Sequence, residues 1–169
     1  MMRFTRRSSI AALAVLIGLS LSSAPPASGA SVGIGGATID GKSWSADRSL
    51  AVPSAIGAKP ILNVNLFAGT NPLSRFGFNL GLTKAGAYVG SYEVAPRAKS
   101  TGLFTPDQLN PDIMANNFQF TGTLTITAYD AAKGAISGTF SGVAANHEGT
   151  KTLKIENGSF NDVGVSAGK

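Results

Sequence analysis

The sequence contains no cysteine and only one histidine, His147. Without cysteine the chain has no disulfides, no thiolate metal ligands and no thiol nucleophile. A single histidine cannot supply the usual zinc ligand sets either. We therefore expect no metal and no cofactor, and we expect stability to come from apolar burial and strand pairing alone.

Clustered charge is scarce as well. Three of the fourteen basic residues lie at the N-terminus, so the rest of the chain contains eleven basic and nine acidic residues. These charges are scattered singly along the sequence. They form no basic stripe, which excludes the common nucleic-acid-binding patterns, and no run that would favour a membrane surface.

No apolar run is long enough to span a membrane. Residues 10–21 are apolar, whereas a spanning helix needs roughly 20 such residues. Arg3, Arg6 and Arg7 precede this stretch and small residues follow it at 28–30, which is the pattern of a secretory signal peptide. We expect cleavage after residue 30, a single domain over residues 31–169, no transmembrane anchor after cleavage, and a periplasmic or secreted location.

The remaining sequence alternates apolar and small polar residues with the period of a β-strand. Clear examples are FGFNLGL at 76–82, NFQFTGTLTITAY at 117–129 and AISGTFSGVA at 135–144. Such segments recur at short spacing and predict an all-β fold, either a single antiparallel β-sandwich or a partly open β-barrel of about 7–9 strands. Asp40 and Gly41 predict a tight turn between two of these strands.

Residues 95–116 break this rhythm, because APRAKSTGLFTPDQLNPDIMAN is rich in proline and lacks alternation. Thr105 and Pro106 resemble an N-cap and a first helical position, which predicts a long loop with a short helical insert near 105–115. Two interpretations stay open. The loop either carries function or acts as a lid over the end of the core.

Aromatic side chains are the candidates for ligand binding. A carbohydrate- or lipid-binding module would use Trp44, Tyr88, Tyr92 and Phe104 together with the 95–116 loop. The same residue types also pack in ordinary strands, and Tyr129 belongs to the same group of candidates. The sequence alone leaves both interpretations open.

Catalytic candidates are few. Asp107, Asp112 and Glu93 could supply a carboxylate pair for a hydrolase. The G-x-S-x-G pattern at 164–168 lacks the acid and the histidine that must follow it. His147 lies in AANHEGT, which predicts the tip of a β-hairpin. We therefore predict no catalytic residue and no enzyme activity.

Three sequence forms recur in the C-terminal half: G-x-L-x-I-T, I-S-G-T-F-S-x-x-A and I-x-x-G-x-F, at 122–127, 136–144 and 155–160. With these forms the chain resembles a family of small exported bacterial proteins with a domain of unknown function. GKSWSAD at 41–47 and GSYEV at 90–94 fit the same layout. Here Gly142 replaces an aromatic residue, Glu156 and Asn157 replace a threonine pair, and the lipid-anchoring cysteine is missing.

The resemblance implies a β-rich exported domain and carries over no functional residues. The glycine after Asn157 would lie in the last strand of that family, where it predicts a bulge rather than a turn. We expect a non-catalytic exported protein that binds a ligand or supports an envelope structure. Its partner would be a glycan, a lipid or an envelope protein.

Overall fold

The computed structural model describes residues 34–70, 73–112 and 116–166. The predicted signal peptide at 1–30 lies outside these ranges. The described residues form ten strands: β1 Gly35–Ile39, β2 Lys42–Ala46, β3 Arg48–Ile56, β4 Lys59–Ala68, β5 Ser74–Gly81, β6 Gly90–Val94, β7 Thr101–Thr105, β8 Phe118–Asp130, β9 Ala135–Asn146 and β10 Thr152–Gly164. All named strand pairs are antiparallel. The prediction of an all-β fold is therefore confirmed, with ten strands in place of seven to nine.

The ten strands belong to one sheet, which curls into a half-barrel. Its order is β2-β1-β10-β9-β8-β7-β5-β4-β3, with β6 beside β8. The end strand β3 reaches across the curl to the chain just after β10, because Ala51 in β3 bridges to Val165 and Ser166 N donates to Ala51 O at 2.9 Å. This arrangement matches the predicted partly open barrel. The second sheet that a sandwich needs is not formed by the described residues.

Two strands were not predicted. β3 contains Pro53, which an edge strand tolerates because it has a side without ladder partners. β7 interrupts the segment 95–116, and its pairing with β5 and β8 stabilises it. The prediction of an unbroken loop there is wrong, because five residues are enough for a strand when both edges have partners.

The predicted helical cap at Thr105 is also wrong. Thr105 ends β7, and its hydroxyl donates to Asn117 Oδ1 at 2.7 Å instead of to the following backbone. Residues 106–112 form turns and irregular backbone, without a helix. Residues 113–115 of the predicted insert lie outside the described ranges.

The predicted turn and bulge are both confirmed. Asp40 and Gly41 have φ values of 46° and 77° between β1 and β2, as a two-residue hairpin turn with positive φ requires. In β10 the register with β9 shifts between Ile155 and Gly158, and Asn157 has a φ of 52°. The bulge leaves Gly158 paired with Phe140 within the sheet.

The apolar faces of the strands meet inside the curl. Phe76 lies at the centre of this core, with its ring centroid 4.5 Å from that of Phe104 and 5.0 Å from those of Trp44 and Phe140. The largest fully buried side chains come from five strands, β4, β5, β8, β9 and β10: Phe76, Phe78, Phe120, Phe160, Leu62, Leu66, Leu80, Leu124, Ile126, Ile136, Ile155 and Val64. None of the described residues forms a helix long and apolar enough to cross a membrane.

Phenylalanine rings cover glycines on the inner face of β9 and β10. Gly138 is opposite Phe160, and Gly158 is opposite Phe140. A Cβ atom on Gly138 would lie 2.5 Å from Phe160 Cζ, and one on Gly158 would lie 2.6 Å from Phe140 Cδ2. Each ring therefore occupies the space that a side chain on the opposite strand would need, an arrangement that also pins register in designed sheets.

Replacing Gly138 with alanine should destabilise the fold. The added methyl group would meet Phe160 Cζ at 2.5 Å and Thr125 O at 2.4 Å, so strands β8 and β9 would have to separate. Overpacking of this kind costs about 1–3 kcal/mol, measurable as a lower midpoint in urea unfolding. Gly164→Ala is the matched control, because nothing lies within 4 Å of its Cβ position. Equal midpoints for the two variants would contradict this account.

Candidate functional site

Two of the predicted aromatic candidates pack together. Trp44 is half-buried, and its indole N–H donates to Ser74 Oγ at 2.7 Å. Phe104 is buried and lies 6.4 Å from Trp44, ring centroid to centroid. Both rings contact Phe76, so the structure gives them a role in packing the core.

The tyrosine candidates form a separate group. Tyr92 donates its hydroxyl hydrogen to Tyr88 O at 2.6 Å. The Tyr88 ring is buried and meets Tyr129 edge-on, with centroids 5.0 Å apart. Burial raises the pKa of the Tyr88 and Tyr92 hydroxyls above the usual value. No described ring contact joins these tyrosines to Trp44 or Phe104, so the four candidates do not form one aromatic platform.

His147 lies at the exposed tip of the β9–β10 hairpin, as predicted. Asn146 holds this turn: its backbone N–H donates to Lys151 O and its side-chain amide donates to Thr150 Oγ1, both at 3.0 Å. Among the described residues, no group of three histidine or acidic side chains could hold a metal ion.

Polar side chains converge instead in a pocket between β5, β7 and two described stretches that follow β7, residues 106–112 and 116–117. We call it the Arg75 pocket, and its volume is about 240 Å³. It is lined by Arg75, Leu103, Thr105, Asp107, Gln108, Asn110, Asn116 and Asn117. These residues come from three parts of the chain, so the pocket exists only in the folded sheet.

Hydrogen bonds connect residues 105–108 and 116–117 with one another and with the sheet. Gln108 N donates to Leu73 O at 2.7 Å, just before β5. Thr105 Oγ1 donates to Asn117 Oδ1, and the Asn116 side-chain amide donates to Asp107 O. These bonds fix both sides of the pocket without using the side-chain amide of Gln108.

Arg75 is the unusual member of the pocket. Its side chain lies over Gly77, since a Cβ on that glycine would be 3.5 Å from Arg75 Nε. The Nε atom is buried and has no hydrogen-bond partner, and Arg75 makes no ion pair with the described residues. An unsatisfied buried donor costs about 1–3 kcal/mol, and more when the group is charged.

The acidic candidates do not compensate this charge. Asp107 lines the pocket, but its Oδ1 accepts a hydrogen bond from Leu109 N at 2.9 Å in a local turn. It does not lie within ion-pair distance of Arg75. Glu93 pairs with Thr123 between β6 and β8, and neither it nor Asp112 lines the pocket.

A second depression lies on the outer face of β8, β9 and β10. Its volume is about 390 Å³, and it is lined by Thr123, Thr125, Thr139, Phe140, Ser141, Asn157, Gly158 and Ser159. It follows the bulge in β10, and none of its lining residues is charged. Rows of small hydroxyl side chains are the usual solvent-facing side of an antiparallel sheet.

The sequence pointed to part of the Arg75 pocket. Arg75 itself is not predicted, whereas the segment 95–116 contributes six of the eight lining residues: Leu103, Thr105, Asp107, Gln108, Asn110 and Asn116. A signal was present, because period-2 alternation from Phe76 puts Arg75 on the outer face beside Gly77. A lone basic residue at the start of a strand is nevertheless too common to indicate a site.

The fold defines a small all-β domain with one curled antiparallel sheet. The chain belongs to the family described as a domain of unknown function, DUF6252, whose model matches residues 36–164. This match confirms the predicted resemblance to a domain of unknown function. No curated protein and no solved structure matches the chain.

Two residues of the β9–β10 hairpin should differ strongly in their contribution to the free energy of unfolding. His147→Ala should change the free energy of unfolding by no more than about 0.5 kcal/mol, because the side chain is exposed. Phe140→Ala should cost about 3–5 kcal/mol, because Phe140 packs 5.0 Å from Phe76 and 5.2 Å from Phe78. Urea unfolding measures both, and a large loss for His147→Ala would contradict the assignment of the hairpin tip.

The tyrosine group predicts a loss of stability at alkaline pH. Burial raises the pKa of Tyr88 and Tyr92, so the unfolded chain releases these phenolic protons at lower pH than the folded one. Their contribution to stability is complete below the unfolded pKa of about 10 and is lost as pH rises through the folded values.

Unfolding midpoints across this alkaline range would measure the effect. A double variant, Tyr88→Phe with Tyr92→Phe, should show a shallower fall than the natural protein above pH of about 10. An equally steep fall in both proteins would contradict the assignment to these hydroxyls.

Proposed function

We propose that this protein is a non-catalytic binding domain that works in the periplasm or outside the cell, and that its ligand occupies the Arg75 pocket. One observation carries the proposal: polar side chains from β7, residues 107–110 and residues 116–117 converge on Arg75 of β5, an arginine that has no partner among the described residues. Convergent polar groups in a concavity are the usual mark of a small-molecule site.

The location outside the cytoplasm is supported by the sequence. Residues 1–30 have the charge, apolar length and small-residue ending of a signal peptide. The domain also contains no cysteine, so its folding does not depend on the redox state of the compartment.

Binding without catalysis is supported by the lining of the pocket. A glycoside hydrolase of the common kind needs two carboxyl groups, and Asp107 is the one acid among the described lining residues. The hydrolase alternative therefore has no support from the pocket.

A carbohydrate-binding module is the second candidate, and the lining favours it over a lipid-binding module. Amide and hydroxyl groups match the hydroxyls of a sugar, whereas Leu103 is the single apolar lining residue. Binding would then use residues 105–110 and 116–117. Tyr88 would be a supporting residue, since its ring is buried.

Gln108→Ala tests the pocket with little risk to the fold. The backbone bond from Gln108 N to Leu73 O remains, and no described hydrogen bond uses the Gln108 side chain. On an array of envelope glycans and lipids, we expect this variant to bind at least about tenfold more weakly than the natural protein, which corresponds to about 1.4 kcal/mol.

Gln119→Ala is the matched control, because Gln119 is exposed on β8 and does not line the pocket. It should bind like the natural protein. Equal retention of both variants would overturn the placement of the site, and no retention of the natural protein on any glycan or lipid would overturn the binding-module proposal.

A further inference from the structure

The charge of Arg75 has no counterpart in the described structure. A guanidinium offers five N–H donors, yet Arg75 donates no hydrogen bond and forms no ion pair with the described residues. Nε is buried and Arg75 lines the pocket, so the terminal nitrogens are the donors that a ligand in this pocket would use.

The neighbours of Arg75 in the sheet do not neutralise its positive charge. In the register of the sheet, Arg75 is opposite Phe67 of β4 and Thr105 of β7, and both are uncharged. Asp107 is the other charged lining residue, and its carboxylate is engaged by Leu109 N. The pocket therefore holds a cation whose donors are unused, with an acid near it that is bonded elsewhere.

We infer that the Arg75 pocket recognises an oxyanion, a carboxylate or a sulfate group, carried by a ligand of about one sugar ring. The inference rests on the proposed function and names the chemistry of its ligand. Arginine pairs with oxyanions through two parallel N–H···O bonds, which are among the strongest hydrogen bonds in proteins. The terminal nitrogens of Arg75 would donate these two parallel hydrogen bonds.

The other lining residues set the size and the rest of the ligand. The volume of about 240 Å³ is below the range of about 300–1,000 Å³ that holds drug-sized molecules. Asn117 Oδ1 accepts from Thr105, which leaves its amide N–H groups as donors. Gln108 has an unused amide as well, so an oxyanion attached to a polyol would find donors on both sides.

Three probes that share one ring test this inference on the natural protein: glucuronate, glucose sulfated on its primary hydroxyl, and glucose. Binding is followed by the Arg75 Nε–H signal in proton–nitrogen correlation spectra, which a buried N–H protects from exchange with water. We expect one or both anionic sugars to shift this signal and to saturate at concentrations at least tenfold lower than glucose does. The stronger of the two identifies the carboxylate or the sulfate as the natural group.

Three substitutions test whether the charge of the pocket, and not only its shape, determines the preference for anionic sugars. Arg75→Gln should abolish the difference between the anionic sugars and glucose, followed through backbone signals of Thr105 and Asn117. Arg97→Gln, at an exposed turn residue outside the pocket, should keep it. Asp107→Asn should strengthen binding of the anionic sugars severalfold, because it removes a negative charge and retains the acceptor for Leu109 N.

The outcomes distinguish the two proposals. If glucose and the anionic sugars shift the pocket signals at equal concentrations, the oxyanion inference is overturned and binding in the pocket stands. If no probe shifts them, the oxyanion inference is overturned, and the comparison of Gln108→Ala with Gln119→Ala on the array decides the proposed function separately.

Discussion

The close approach of phenylalanine rings to glycine backbone across β8, β9 and β10 is the constraint on which the rest of this structure depends. Phe160 occupies the space above Gly138, and Phe140 occupies the space above Gly158. Gly122 and Gly142 face each other, and a Cβ on either would lie 3.0 Å from Phe120 Cζ. A slip of one residue would place each ring on the opposite face of the sheet, so these contacts fix the register of the three longest strands.

That register also decides what faces outward. With the rings inside, the alternate positions of β8 and β9 place Thr123 opposite Ser141 and Thr125 opposite Thr139. The bulge at Asn157 keeps Gly158 below Phe140, and it interrupts the outer hydroxyl rows at the same point. The polar outer surface is thus a direct consequence of the inner packing. The Arg75 pocket lies elsewhere, at the other half of the curl, where the short strand β7 shares one edge of β8 with β6.

Much of the fold could be predicted from the sequence, because long alternating segments carry their own signal. The regions of β5, β8 and β9 alternate over most of their length, and the Asp40–Gly41 turn has a backbone requirement that few residue pairs meet. β3 and β7 lack such a signal. Proline weakens the pattern in β3, and β7 is a strand only because β5 and β8 pair with both of its edges.

The candidate site was harder to predict, since residue type indicated Trp44 and Phe104 but could not indicate that both pack on Phe76. Arg75 and Asn117 are brought together by pairing across three strands, which local sequence does not encode.

The contact between the first strands and the last has a consequence for how this chain folds. β1 pairs with β10, and Lys154 N donates to Asp40 Oδ1 across 114 residues of sequence. Ala51 O in β3 likewise accepts a hydrogen bond from Ser166 N. Folding speed falls as contacts become less local, so the curl can close only slowly, after nearly the whole domain is available. During synthesis the curl therefore cannot close until β10 has been made, because β1 pairs with β10 and Ala51 of β3 bridges to Val165 just after it.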